Sequence, residues 1–208
     1  MRRPVDRRRL IPLAVTQGVV PELLRPVRPD DIPALVDHRH RMFLAIGGRT
    51  EDQIAAHDAR YRRWVRARLA RREVFGYLAE GSDGRALASA LLWFRPDHPR
   101  PGTTKDSIPY VFSVYTVPSA RRKGLATRLV RRLVEEARRR GYPRIVLHAS
   151  EMGLPVYEKL GFERTREMRI VFDRLRTSRA RVSRSRSRRR SASIRAGRRA
   201  RTNRGGRA

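Results

Sequence analysis

The sequence predicts an α+β fold: a central, mostly antiparallel sheet with one parallel strand pair and helices on its flanks. Three observations predict it. Two apolar runs, Val74 to Glu80 and Ala86 to Phe94, are joined by Gly81-Ser82-Asp83-Gly84, the chemistry of a tight hairpin turn. The run Ile108 to Val117 is apolar on both faces and ends at Pro118, as a central strand does. A helical stretch from Gly124 to Arg140 and a strand from Arg144 to His148 follow it, a spacing that closes as a parallel crossover.

The remaining elements fall into place around these. Leu23 to Arg28 reads as a short strand stopped by Pro29. Asp30 or Asp31 then caps a helix whose apolar positions Ile32, Leu35, Val36, Met42, Phe43 and Ile46 recur near helical spacing, and Gly47-Gly48 ends it. Thr50 followed by Gln53 is a capping box, so a second helix runs from Glu51 through Ile54, Tyr61, Trp64, Val65 and Leu69. Arg95 to Ser107, with Pro96, Pro99, Pro101 and Gly102, reads as an exposed loop. On the 124–140 helix, Leu125, Leu129, Val130, Leu133, Val134 and Ala137 form one face. Its other face is expected to pair Arg131 with Glu135, Arg132 with Glu136, and each glutamate with the arginine four residues on, Arg139 and Arg140. Pro155 to Leu160 is a short helix, and Glu163 to Phe172 a last strand.

Composition divides the chain into three. Its 208 residues hold 50 Lys+Arg against 20 Asp+Glu, a net charge of +30, of which half lies in the arginine-rich, acid-free stretch 174–208. That stretch has no aromatic residue and too little apolar area to order itself, so it is expected to be a disordered Arg/Ser-rich basic tail. Residues 1–20 place arginines before apolar Leu10 to Val15 as a signal peptide does. Pro12, Gln17 and the lack of a small-residue cleavage site favour a disordered basic extension instead. Residues 21–173 are then the folded domain. No run approaches the roughly 18 apolar residues of a spanning helix, so no membrane association and a cytoplasmic location are expected. The absence of cysteine excludes disulfides, thiolate zinc sites and an acyl-cysteine relay. Only Lys105, Lys123 and Lys159 are lysines, a bias toward arginine that reads as codon usage as much as function.

The sharpest local signal is Arg121-Arg122-Lys123-Gly124-Leu125-Ala126, between a strand end and a long helix. Such a turn aims the unpaired N–H groups of the first helical turn outward, backed by the helix dipole, and suits a pyrophosphate. It is neither a Walker loop nor a dinucleotide fingerprint, which disfavours nucleoside triphosphates and NAD. At the end of the next strand stands Pro155-Val156-Tyr157-Glu158-Lys159-Leu160-Gly161-Phe162. In this order and spacing, over Leu23 to Phe172, the two motifs resemble the GNAT superfamily of acetyl-CoA-dependent N-acetyltransferases.

The resemblance implies a GNAT-like fold and acetyl-CoA as co-substrate. It implies that main-chain groups of Val114, Tyr115 and Thr116 hold the pantetheine arm, and that amides from Arg122, Lys123, Gly124, Leu125, Ala126 and Thr127 cradle the diphosphate. A backbone N–H near Val114 would polarise the thioester carbonyl, and Tyr157 would be the general acid. Two departures stand out. Where the family often has a carboxylate or histidine early in the central strand, this chain has Tyr110, Val111, Phe112 and Ser113. The proton of the amine therefore needs a water chain past Tyr110 and Ser113, or an acid such as Asp106 or Glu151. Ser150 stands near where the family often has asparagine. Asp37, His38 and His40 do not converge on one helix face and read as a solvated face, and His148 reads as structural, so no metal is expected.

The expected activity is acetyl transfer to a primary amine of a small-molecule or protein acceptor, by direct attack in a ternary complex, from a monomer or homodimer. An arginine-rich body argues for an anionic or carboxylate-bearing acceptor and against polyamines. The alternative is a nucleic-acid or ribosome-associated binder whose tail makes non-specific phosphate contacts.

Overall fold

A computed structural model of the chain describes residues 22–172; the expectations for residues 1–20 and 174–208 lie outside these. The helices are α1 (Ile32–Ile46), α2 (Glu51–Ala55), α3 (Asp58–Ala70), α4 (Leu125–Arg139) and α5 (Leu154–Glu158). The strands are β1 (Leu23–Pro26), β2 (Val74–Glu80), β3 (Ala86–Pro96), β4 (Ser107–Thr116) and β5 (Val146–Leu147). They form one sheet in the order β1-β2-β3-β4-β5, antiparallel through β4, with β5 joining β4 in parallel. This is the mixed sheet expected.

Strand alternation divides the core between the sheet's two faces. On β3, Ala88, Ala90 and Leu92 pack with Leu125, Leu129 and Leu133 of α4, whereas Leu91 joins Leu35 of α1 and Val65 of α3. Truncating a side chain buried as fully as Leu129 costs about 2–5 kcal/mol. Arg25 of β1 fastens one edge, donating to both carboxylate oxygens of Asp31 at 2.8 Å and to Glu80 of β2 at 2.7 Å.

Several local expectations change for stated reasons. The predicted second helix is two, α2 and α3, because the His57 ring takes the Gln53 carbonyl at 2.9 Å while the His57 N–H turns to Ile54. The Thr50 capping box forms as read, with bonds of 3.0 and 3.3 Å. Asp31 stands at the start of α1 but makes no capping bond. Its carboxylate is spent on Arg25 and the Arg28 N–H, which hold it below the usual carboxylate range. On α4, Glu136 pairs with Arg140 as read and also with Arg139, but not with Arg132, which turns to Glu135. Residues 163–171 carry no regular structure. Met168, Ile170 and Phe172 alternate as a strand would, yet all are exposed, and a ladder needs a partner strand that alternation does not supply.

The two histidines of α1 part company. His38, read as solvated, is 2% exposed. Its Nδ1 lies 2.9 Å from the Ser89 hydroxyl and its Nε2 3.3 Å from the Ala86 carbonyl; Nε2 therefore carries the proton and Nδ1 accepts from Ser89. Burial depresses its pKa. His40 lies 2.6 Å from both Asp58 and Glu51, which raise its pKa, Asp58 most. Among the described residues no group of three or more His, Asp or Glu converges to hold a metal ion. Nor is any described helix long and apolar enough to cross a membrane.

Candidate active site

β4 and β5 share only two rungs, Tyr110 with Val146 and Val111 with Leu147. On its other side β4 bulges: Tyr115 faces Ser89 and Phe112 faces Leu91, so Ser113 and Val114 together oppose Ala90. Ser113 takes a left-handed backbone at φ 49°, a conformation of about 1–3 kcal/mol for a non-glycine residue. Beyond the last rung, the segment Phe112–Thr116 lines a cleft of ≈ 580 Å³ with His148, Ser150 and Tyr157.

At one end of this cleft lies the turn into α4. Gly124 caps it at φ 77°, and Arg122 two residues earlier stands at φ 66°. Left-handed residues so spaced are a feature of turns whose successive N–H groups converge as a nest for anions. The first bond of the helix ladder is Arg128 N–H to the Gly124 carbonyl at 3.0 Å, and no described group accepts from the N–H groups of Arg122 to Thr127. A Cβ at Gly124 would meet nothing within 4 Å, so glycine is favoured here by its φ and not by the protein's own packing.

Tyr157 projects from α5, 9% exposed, its ring edge-on to Phe162 at 5.9 Å. Burial pushes its hydroxyl up to about 12, with a further push from Tyr110, so it holds its proton. Gly161 at φ 85° closes α5, and the Phe162 N–H returns to the Tyr157 carbonyl at 3.0 Å, which is why Gly-Phe follows the helix. Gly153 is needed for room: a Cβ there would stand 2.9 Å from Tyr157 Cε2 and 3.3 Å from Ser150 Oγ.

The structure brings most of the sequence-derived residues to one place. Val114, Tyr115, Thr116, Ala126, Ser150 and Tyr157 line the cleft. Thr116 Oγ1 is buried with no hydrogen-bond partner among the described residues. Arg122, Lys123 and Gly124 form the exposed turn beside it, Thr127 is half-buried, and Leu125 turns its side chain into the core, leaving only its amide to the turn. Neither Asp106 nor Glu151 lines the cleft; His148 does, its Nδ1 2.6 Å from the Tyr110 hydroxyl. The structural reading of His148 missed this. The signal was the crossover register: with Tyr110 opposite Val146, the residue two further on shares Tyr110's side of the sheet.

Comparison with known proteins accords with this geometry. Residues 33–162 match the acetyltransferase (GNAT) family, so the chain belongs to the GNAT acetyltransferases. A GCN5-related N-acetyltransferase from Ralstonia eutropha superposes with a TM-score of 0.66 and 34% identity, over 72% of this chain and 97% of that one. A predicted acetyltransferase from Clostridium acetobutylicum, solved with acetyl-CoA, gives 0.66 and 30% over 72% and 95%. A glucosamine 6-phosphate N-acetyltransferase of Trypanosoma brucei brucei is 38% identical over 88 residues, 42% of this chain and 58% of that relative. The chain is an acyltransferase of this family.

Proposed function

We propose that the chain transfers the acetyl group of acetyl-CoA to a primary amine by direct attack in a ternary complex. The observation that carries this reading is the meeting, on one cleft, of the parted β4–β5 pair and the nest at the start of α4. The nest takes the diphosphate, whose charge suits N–H groups at the positive end of a helix. Main-chain groups of Val114, Tyr115 and Thr116 hold the pantetheine arm along the opened strand, and Ser150 lies across from them. The Val114 N–H, beside the bulge, stabilises the negative oxygen that forms as the amine nitrogen attacks the thioester carbon.

The intermediate then collapses. Its C–S bond breaks, the electron pair leaves on sulfur, and Tyr157 supplies the proton that makes the free thiol. Because a thiol is a stronger acid than this phenol, the hydroxyl assists chiefly by its position and by hydrogen bonding to the charge that develops on sulfur. The proton lost by the amine passes through the Tyr110 hydroxyl to His148 Nδ1, with Arg95 set over the Tyr110 ring at 5.1 Å. Among the described residues no carboxylate lines the cleft to do this instead.

The test is release of CoA thiol from acetyl-CoA in the presence of primary amines, with Tyr157→Phe as the control. A fall in turnover of roughly 10²-fold at unchanged acetyl-CoA affinity is expected for loss of a general acid. An unchanged turnover removes Tyr157 from the mechanism.

A further inference from the structure

The far end of the same cleft is a wall of rings. Phe43 of α1, Tyr61 and Trp64 of α3, Trp93 of β3 and Phe112 of β4 all line it. Trp64 stands edge-on to Trp93 at 5.3 Å and to Phe112 at 5.8 Å, and lies nearly parallel to Tyr61 at 6.0 Å. Rings so interlocked form a fixed apolar surface rather than mobile cover. At the rim, Ile46 is 48% exposed.

The charges on the lining have one sign. Among the described residues, Arg39 and Arg121 line the cleft, together with His148, and no Asp or Glu does. Arg39 is held over the rings of Phe43 at 4.7 Å and Tyr61 at 4.5 Å, with Asp58 behind it at 3.6 Å. An ammonium entering this space meets guanidinium groups and, among the described residues, no lining carboxylate. A hexose hydroxyl finds aromatic carbon where it needs a partner, and a polyamine brings further positive charge to a lining of that sign. A carboxylate on the acceptor, by contrast, faces only cations.

We propose that the acceptor is a primary amine borne on an aromatic body that also carries a carboxylate, with the α-amine of a free aromatic amino acid as its type. This rests on the acetyl-transfer reading of the same cleft, and places the ring against Trp64, Trp93 and Phe112 with the amine toward Tyr110.

The full chain is assayed for CoA-thiol release with L-tryptophan, L-phenylalanine, glucosamine 6-phosphate, spermidine and Nα-acetyl-lysine, and acetyl-CoA binding is titrated separately. The aromatic amino acids are expected to show kcat/KM at least ~10-fold above the other amines, from ring contact and the cationic lining together. Ile46→Glu, an exposed rim change, puts a carboxylate at the mouth; it is expected to shift the ratio toward spermidine about five-fold or more, with acetyl-CoA affinity unchanged. Trp64→Ala is expected to act on the KM of the aromatic amine. Preference for glucosamine 6-phosphate, spermidine or the lysine side chain, with acetyl-CoA bound, overturns the acceptor assignment and leaves acetyl transfer standing. Failure to bind acetyl-CoA overturns acetyl transfer, and the acceptor assignment with it.

Discussion

The two ends of the cleft are built from different parts of the chain's chemistry. The end at α4 is made of backbone: N–H groups of a turn whose side chains, Arg122 and Lys123, stand exposed. The end at α3 is made of side chains, five rings drawn from two helices and two strands. A backbone site needs only the right φ angles and tolerates almost any side chain that permits them. A side-chain site is specified residue by residue, and changes its ligand when one residue changes. The first suits a part common to every turnover, the second a part that differs from one enzyme to the next.

The difference is open to direct attack. Gly124→Val forces a β-branched residue to φ 77° and is expected to weaken acetyl-CoA binding by roughly 10²-fold in a calorimetric titration. Arg122→Gln and Lys123→Gln should each cost no more than about three-fold, as exposed charges do. Equal losses from all three would mean that side chains, not amides, hold the diphosphate.

His148→Gln tests the proton route between the two ends. Turnover is expected to fall about ten-fold, the low side of general-base effects, with acetyl-CoA affinity unchanged. Raising the pH should restore much of it, because more of the acceptor is then already neutral. A deficit that is constant with pH would exclude His148 from proton removal.

Gly153→Ala presses on Tyr157 from behind, its new methyl 2.9 Å from Cε2. A fall in turnover of several-fold is expected from a displacement of that size, with little change in KM for acetyl-CoA. A variant as active as the parent would show that the ring position is not critical.

The smallest effects concern stability and set His38 against His40. The folded form holds His38 neutral, so the unfolded chain binds the extra proton below its ordinary pKa of ~6.5, and the stability His38 confers drains away as pH falls past that value. His40 has the opposite sign: its raised pKa adds stability below ~6.5 that disappears as pH climbs through the folded value. His40→Gln should therefore lower the melting temperature by about 2–4 °C at pH 6 and leave it unchanged near pH 9, if the paired charge is worth roughly 1 kcal/mol. A loss of the same size at both pH values would show that packing, not charge, is what the substitution removes.

These contrasts also explain what the sequence made legible. The β2–β3 hairpin, the crossover and the α4 turn were readable because each is written locally, in glycine positions, hairpin residues and helical periodicity. Tyr157 was readable because Gly161 and Phe162 close its helix in a recognisable string. The ring wall was not: Tyr61 and Trp64 look like ordinary core positions of a helix until Trp93 and Phe112 arrive from strands 29 and 48 residues beyond Trp64. His148 was passed over because its partner, Tyr110, lies 38 residues away and meets it only through the parallel register. The break at His57 turned on one ring reaching one carbonyl, which no periodicity reports.

Ser113 belongs to both ends at once. Its backbone makes the bulge beside Val114, while its hydroxyl lies 3.4 Å from that of Tyr61, a member of the ring wall. A single left-handed residue therefore touches both halves of the cleft, and exchanging it for glycine would relax the chain while cutting its tether to the aromatic side.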